Sequence, residues 1–456
     1  MTAKRKGEGA EAGQGNGNKK GKTKENNEKV EALVDVEVAS GGGCVCVAAG
    51  AKLFVLRQGE PRWCELRGGQ GGDAAAVKCL AVSPCGRYVA SAGNDKSLKV
   101  WAVVQGEEEG KCLWSATFPK RVSSLAFSAD SGVVFAGDKF GDVRCLAVES
   151  PRTKETDKGT EIDPRRVLGH FSSIITCLSV SPCGRYLASG DRERKIRVGC
   201  VPPSPVESGV HEIQAYCIGH SAFVTALCFA SSRSLISASW DGTVKLWSCE
   251  DGAEKDSVHL GAGFGVDTAS PISMALLEEK SMVAVATEKR GVCLVQYSEE
   301  EGKLKPVRWI APPSIDFVPV SIAAGARGDL WVAGCEVKPN HLGSAPSERG
   351  WYSEEELKAI QGGGGEAGSD PGSDPGSVLA AVYTLSTGPE AKYLEKQEGV
   401  WGGPGAPPVV LVENSKRVRG LQLVPSELHK HVYPLSEREY RKRHQAFRVH
   451  GDRGLN

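Results

Sequence analysis

The sequence predicts an all-β chain closed into a ring of seven four-stranded blades, a β-propeller, and three observations predict it. The first is repetition. Ser83-Pro-Cys-Gly-Arg-Tyr-Val-Ala-Ser91 returns almost unchanged as Ser181-Pro-Cys-Gly-Arg-Tyr-Leu-Ala-Ser189, an offset of 98 residues, or two units of 49. Weaker copies at residues 127–137 and 229–239 keep the same spacing. The unit is a little longer than the roughly 40–45 residues of a four-stranded blade, and the excess falls in loops. The second observation is alternation: Val224-Thr-Ala-Leu-Cys-Phe229 and Thr243-Val-Lys-Leu-Trp247 repeat with period two, as half-buried strands do. The third is that Gly-, Asp- and Ser-bearing turns bound these runs, so strand follows strand without helices. One blade cannot bury both of its faces alone, so blades have to stack into a ring.

In chain order the blades are expected near residues 31–66, 75–104, 112–148, 166–203, 215–249, 270–298 and 317–385. The first, sixth and seventh rest on alternation alone. Residues 1–29 carry a net charge of +4, are rich in Gly, Asn and Lys, and contain no aromatic residue. Such a segment buries too little apolar surface to offset its ordering entropy, so a disordered basic tail is expected. The propeller is expected over residues 30–424. Inside it, QGGGGEAGSDPGSDPGS at 361–377 has linker composition. The stretch from about 340 to 377 reads as a surface insertion, because strand-like sequence resumes at Val378. Two segments compete to close the ring, residues 32–38 and Val409–Val412. Residues 425–456 form a second basic tail, net +3. There Ser436 and Glu439 make a capping box, and Leu435 with Tyr440 suits a hydrophobic staple. A short basic helix is predicted over 437–448, offering Arg438, Arg441, Lys442 and Arg443 to RNA phosphate or to an acidic partner surface.

Basic and acidic residues number 56 each, so the two basic ends leave a body of net −7. An acidic body is a poor lone ligand for nucleic acid, since phosphate attraction needs clustered Lys and Arg. No apolar run approaches the roughly 18 residues of a membrane span. No apolar stretch follows Lys4-Arg5-Lys6, so no secretory leader is expected. The 15 cysteines include no C-x-x-C pair, and the one C-x-C, Cys44 and Cys46, lies in an apolar alternating run. They read as reduced, mostly buried small apolar side chains of an intracellular protein, without a zinc site. Gly261-Ala-Gly-Phe-Gly265 with Asp267 mimics a methyl-donor glycine loop, but Pro271 and a strand-like run follow where a helix should open, so it reads as a loop between blades.

Residues 219–247 resemble a WD repeat: Gly219-His220 at the start, Asp241 in the last turn, Trp247 at the strand end. In that family a His, a Ser or Thr, an Asp and a Trp hydrogen-bond in a line. The resemblance gives those places to His220, Ser237, Asp241 and Trp247. The physical sense is that a buried imidazole and a buried indole N–H each need a partner. A catalytic Ser–His–Asp set uses the same residue types, yet the fold accounts for all of them here. The second repeat keeps Ser91, Asp95 and Trp101; the fourth keeps Gly169-His170 but has Gly199 in the Trp place.

A narrower resemblance lies in GHFSSIITCLSVSPCGRYLASGDRERKIRV, followed by HEIQAYCIGH. This stretch is similar to the non-catalytic WD-repeat subunit of the eukaryotic tRNA (guanine-N7) methyltransferase, especially its plant- and algal-like members. The resemblance implies a heterodimer. A separate catalytic subunit binds S-adenosylmethionine and methylates guanine in the variable loop of tRNA, while the WD subunit binds no cofactor, does no chemistry and meets tRNA mainly through its partner. It implies docking through Asp191, Arg192, Glu193, Arg194, Lys195 and Arg197 in blade four. Arg194 stands where some members carry an acidic residue. The residues themselves agree in part: Lys195 and Arg197 share the strand face opposite Ile196 and Val198. The family's location, with the basic runs Lys4-Arg5-Lys6 and Lys19-Lys20-Gly21-Lys22, implies the nucleus. A ubiquitin-ligase substrate receptor is the rival reading, but the Trp-Asp-x-Arg such proteins often carry is replaced by Trp101-Ala-Val-Val and Trp247-Ser-Cys-Glu.

Overall fold

The computed structural model describes residues 34–337, less 41–42, 50, 58–63, 67–75, 104–109, 157–158, 209–211, 262–263, 265–268, 289–290, 311–316 and 326–327, together with 378–386 and 395–396. Both basic tails, the Gly-rich segment, Val409–Val412 and the four basic residues of the predicted 437–448 helix lie outside the described residues.

Seven antiparallel four-stranded sheets follow one another along the chain, at residues 34–66, 77–117, 122–169, 175–218, 224–259, 271–310 and 317–396. The first strand of each blade packs beside the first strand of the next, and that of blade seven (Phe317–Ala324) returns to that of blade one (Val34–Val38). The ring is thereby closed. The Ser321 hydroxyl donates to the Val36 carbonyl at 3.3 Å across the seam. Each described blade is one continuous stretch of chain, so closure comes from side-by-side packing. The 32–38 segment lies at this seam.

Apolar clusters fill the gaps between neighbouring blades. One joins blades two and three through Leu98, Val100, Phe118, Phe127 and Val134; another joins blades four and five around Ile196, Phe229, Leu235 and Trp247. The second strands are covered on both faces, and in blade five every residue of Ser234–Ser239 is buried. Small residues dominate there (ASAG, FAGD, ASGD, ISAS) because blades converge toward the axis. Bulk is placed farther out, at Trp101 and Trp247 on the third strands.

The repeat frame differs from the blade frame by one strand. Cys112–Thr117, Arg165–Gly169 and Ile213–Ile218 were expected to open blades three, four and five; each instead pairs with the preceding strand as the outer edge of blades two, three and four. Outer strands follow the variable loops, so in sequence they lie against the next repeat while hydrogen bonding holds them to the previous one. Blade three also carries a hairpin, Thr153–Thr156 with Gly159–Ile162, inserted before its outer strand. In blade seven Val337 pairs with Val378, so residues 338–377 join two neighbouring strands of one sheet.

The closing seam carries a buried charge problem. The Asp35 carboxylate accepts from the Leu80 N–H of blade two at 3.1 Å and hydrogen-bonds Ser321 of blade seven. Burial outweighs these bonds and raises its pKa from 3.8 to about 6. Glu37, two residues along, is raised as well, by burial and then by the charge of Asp35. The folded state therefore binds more protons than the unfolded one between pH 4 and 6, and stability falls as pH rises through that window. Asp35→Asn is expected to be more stable than wild type by about 1–3 kcal/mol above pH 7 and to match it near pH 4. Urea midpoints measured across pH 4–8 check this.

Candidate partner-docking site on blade four

The blade-five network shows what a complete set looks like. The Trp247 Nε1–H donates to Ser237 Oγ at 2.7 Å. Ser237 Oγ lies 2.7 Å from His220 Nε2, and His220 Nδ1 lies 3.0 Å from Asp241. One run of donations satisfies all four: indole to hydroxyl, hydroxyl to Nε2, Nδ1–H to carboxylate. Burial opposes ionisation of Asp241, but hydrogen bonds from His220, Thr243 and the Ser221 N–H outweigh it and hold the carboxyl well below its usual range. Gly219 is small for a reason: a Cβ there would lie 2.7 Å from Glu254 and 3.1 Å from the Trp247 ring. Ser237 is fully buried, so no substrate reaches it, and the set links strands and has no catalytic access.

Blade four builds the same link differently. His170 Nε2 lies 2.8 Å from Ser189 Oγ, and Nδ1 lies 2.9 Å from Asp191. Burial lowers the His170 pKa, more than the Asp191 carboxylate restores. Asp191 lies two positions before the place Asp241 holds in blade five, at the end of the second strand. It is 1% exposed and also accepts from the Lys195 N–H at 2.9 Å. The expectation that Asp191 docks a partner is therefore corrected: its carboxylate is spent inside the blade, shaping the turn. Gly199 supplies no indole, and Ser189 Oγ reaches instead toward the Arg197 carbonyl at 3.5 Å.

Arg197 is also committed internally. Its Nη1 donates to the Gly169 carbonyl of blade three. Its guanidinium stands over the Tyr216 ring, 5.8 Å from the centroid, and its Nε is buried without a partner. It is half-buried and ties two blades together. Arg197→Glu would thus disturb the blade junction as well as any docking, so Arg197 is a poor probe of an interface.

What remains on the surface is the turn itself. Glu193, Arg194 and Lys195 are exposed and Arg192 is half-buried. Arg194 adopts a left-handed backbone, φ +71°, which costs a side-chain-bearing residue about 1–2 kcal/mol. Blades three and five put Gly141 and Gly242 at the matching position. The turn is fastened to the preceding loop: the Arg192 N–H donates to Ile174 at 2.9 Å and the Glu193 N–H to Ser173 Oγ at 3.3 Å. That loop carries Phe171, whose exposure is 75%, more than any other large apolar residue described. Tyr216 and Ile218, 50% and 69% exposed, lie on the neighbouring outer strand opposite Arg197 and Lys195. Sequence reasoning missed Phe171. Its signal was an aromatic residue set in a turn, between Gly169-His170 and two serines.

The arrangement is an aromatic and aliphatic knob beside a rigid rim of mixed charge, which suits protein recognition and offers no chemistry. Among the described residues no three His, Cys, Asp or Glu side chains gather as a metal-binding group.

A family model for the WD40 domain of the tRNA methyltransferase TRM82 matches residues 2–159 and 147–307. A Danio rerio protein named tRNA (guanine-N(7)-)-methyltransferase non-catalytic subunit wdr4 is 28% identical over 270 residues, 57% of this chain and 60% of that protein. The Xenopus laevis protein of the same name is 32% identical over 186 residues, 40% of this chain and 42% of that one. The chain thus spans about half the length of the curated relatives it matches. Among solved structures, a chain of the mitotic checkpoint complex superposes with TM-score 0.53 at 16% identity, covering 67% of this chain and 87% of that one. The structure of U3-55K does so with TM-score 0.51 at 18% identity, covering 66% and 88%. These two likenesses show the propeller fold alone.

Proposed function

The chain belongs to the family of tRNA methyltransferase TRM82 WD40 domains, and from that premise we propose that it is the non-catalytic subunit of a tRNA guanine-N7 methyltransferase. In this role it binds and steadies a catalytic subunit that carries S-adenosylmethionine. The observation that carries the reading is the blade-four turn, strained at Arg194, fastened to its neighbouring loop and flanked by the exposed Phe171. A closed propeller hides its apolar surface between blades. A large aromatic held out on a fixed loop has the character of an interface anchor. Glu193, Arg194 and Lys195 beside it would pair with charges on the catalytic subunit once water is excluded. The blade-five tetrad and the inter-blade clusters keep that surface rigid, so docking does not bear the ordering cost of a flexible loop. Transfer of the methyl group belongs to the partner, and tRNA is met mainly through it. The nucleus is the proposed location, on the basic runs near the N-terminus.

Co-expression with the catalytic subunit from the same organism tests this. A 1:1 peak on size exclusion, with N7-methylguanine formation on tRNA well above that of the catalytic subunit alone, is expected. Separate elution with no gain in activity would overturn the proposal.

A further inference from the structure

Two turns on the opposite face of the ring hold a different chemistry. Turns between first and second strands lie at one end of a blade, and turns between second and third strands, including the 191–194 turn, at the other. On the first face the repeated Ser-Pro-Cys-Gly-Arg-Tyr segment presents Cys85 in blade two and Cys183 in blade four. Of the fourteen cysteines described, these two are the exposed ones.

Each sulfur stands among donors brought from three places. The Ser83 hydroxyl lies 3.4 Å from Cys85 Sγ. The Arg87 guanidinium and the Arg87 backbone N–H both hydrogen-bond that sulfur, as does Ser131 from blade three. The Cys85 backbone N–H also donates to Ser131 Oγ at 3.2 Å, locking the seam between the blades. Cys183 repeats the set with Ser181 at 3.4 Å, the side chain and backbone of Arg185, and Ser232 from blade five. Gly86 and Gly184, at φ +70° and +72°, turn the chain so that the following N–H faces the sulfur. Four donors on one sulfur suit an anion and are wasted on a neutral thiol.

We propose that Cys85 and Cys183 are a matched pair of thiolate sites, open to oxidation by peroxide and then to capping by glutathione. Peroxide converts each thiolate to a sulfenic acid, forming the S–O bond as the O–O bond breaks and releasing hydroxide. The glutathione thiolate then attacks that sulfur, displacing oxygen as water with one proton taken up, and leaves a mixed disulfide. The exposed Arg87 and Arg185 guanidiniums would meet the carboxylates of glutathione beside the new bond. Blade three separates the two sulfurs, so each is capped independently. Electrostatics agree with the geometry. Partial burial works against ionisation, yet the hydrogen bonds bring Cys85 down to about 7 and Cys183 to about 6. Burial pushes Cys228 and Cys293 up to about 12. The proposal is independent of the methyltransferase reading.

The test uses the full-length folded chain. Iodoacetamide labelling is followed cysteine by cysteine by mass spectrometry from pH 5 to 9, then peroxide and glutathione are added at pH 7. The expected result is labelling of the Cys85 and Cys183 peptides with midpoints near 7 and 6, and glutathione adducts confined to those two. Arg185→Gln is expected to slow labelling of Cys183 at pH 6 by about tenfold while Cys85 in the same molecule is unchanged. Ordinary midpoints near 8.5 for both, or adducts spread evenly over other cysteines, would overturn it.

Discussion

Trp247→Ala is expected to destabilise the chain by about 3–5 kcal/mol and to lower its thermal midpoint by roughly 5–15 °C. Two losses combine. The side chain is fully buried in the cluster that joins blades four and five, against Phe229, Leu235 and Cys249. Its removal leaves a cavity that a ring of rigid sheets relaxes into poorly. The indole N–H is also the donor that opens the chain through Ser237 and His220 to Asp241. Trp247→Phe separates the terms. It keeps most of the volume and removes one donor, while Ser237 still donates to His220, so about 1–2 kcal/mol is expected. Equal effects of the two variants, measured as urea midpoints, would show that packing contributes little beyond the hydrogen bond.

Blade four makes the contrast instructive. It holds its His–Ser–Asp link without any indole, because Gly199 occupies the Trp place and Asp191 reaches the histidine from an earlier position. The equivalent geometry is thus reached by two different residue spacings. A buried imidazole requires partners on both nitrogens, and the backbone turn chooses which carboxylate provides one. Blade two has only the Trp101 to Ser91 bond, at 2.9 Å.

That flexibility marks the limit of what the residues reveal by themselves. Seven blades, all-β architecture and the blade-five tetrad were legible, because period-two alternation and the spacing from Gly219 to Trp247 are local signals. Blade edges were not. Ile213–Ile218 belongs to blade four through its pairing with Lys195–Cys200, a long-range fact that alternation does not encode. The inner or outer direction of charged residues was legible only halfway. Lys195 faces out as the alternation says, whereas Asp191 points inward because His170 needs it. Arg197 is captured by the Gly169 carbonyl and by the Tyr216 ring, both contributed by neighbouring strands. Phe171 escaped notice since no periodicity governs a turn, and only its 75% exposure sets it apart.

Phe171→Ala combined with Lys195→Glu is expected to weaken binding of the catalytic methyltransferase subunit by roughly 100-fold, in two distinguishable parts. Phe171 acts as the desolvated anchor, so its truncation should speed dissociation by about 10–30-fold and leave association nearly unchanged. Lys195 belongs to the charged rim, so its reversal should slow association and make binding less dependent on salt. Neither side chain supports the blade: Phe171 is exposed, and Lys195 makes only a 3.9 Å surface contact with Glu193. Unfolding midpoints should therefore stay within about 0.5 kcal/mol of wild type. Val307→Asp, at a 47% exposed position on blade six, should leave affinity unchanged. Ile218→Asp measures how far the interface extends, since Ile218 is opposite Lys195 on the outer strand. Loss of affinity there would carry the contact across the edge of the blade, and no loss would confine it to the turn and the Phe171 loop. Surface plasmon resonance at two salt concentrations reads all of these terms. Unchanged binding by the double variant would remove blade four from the interface, because nothing else in the described chain presents an aromatic anchor and a charged rim held together by backbone hydrogen bonds.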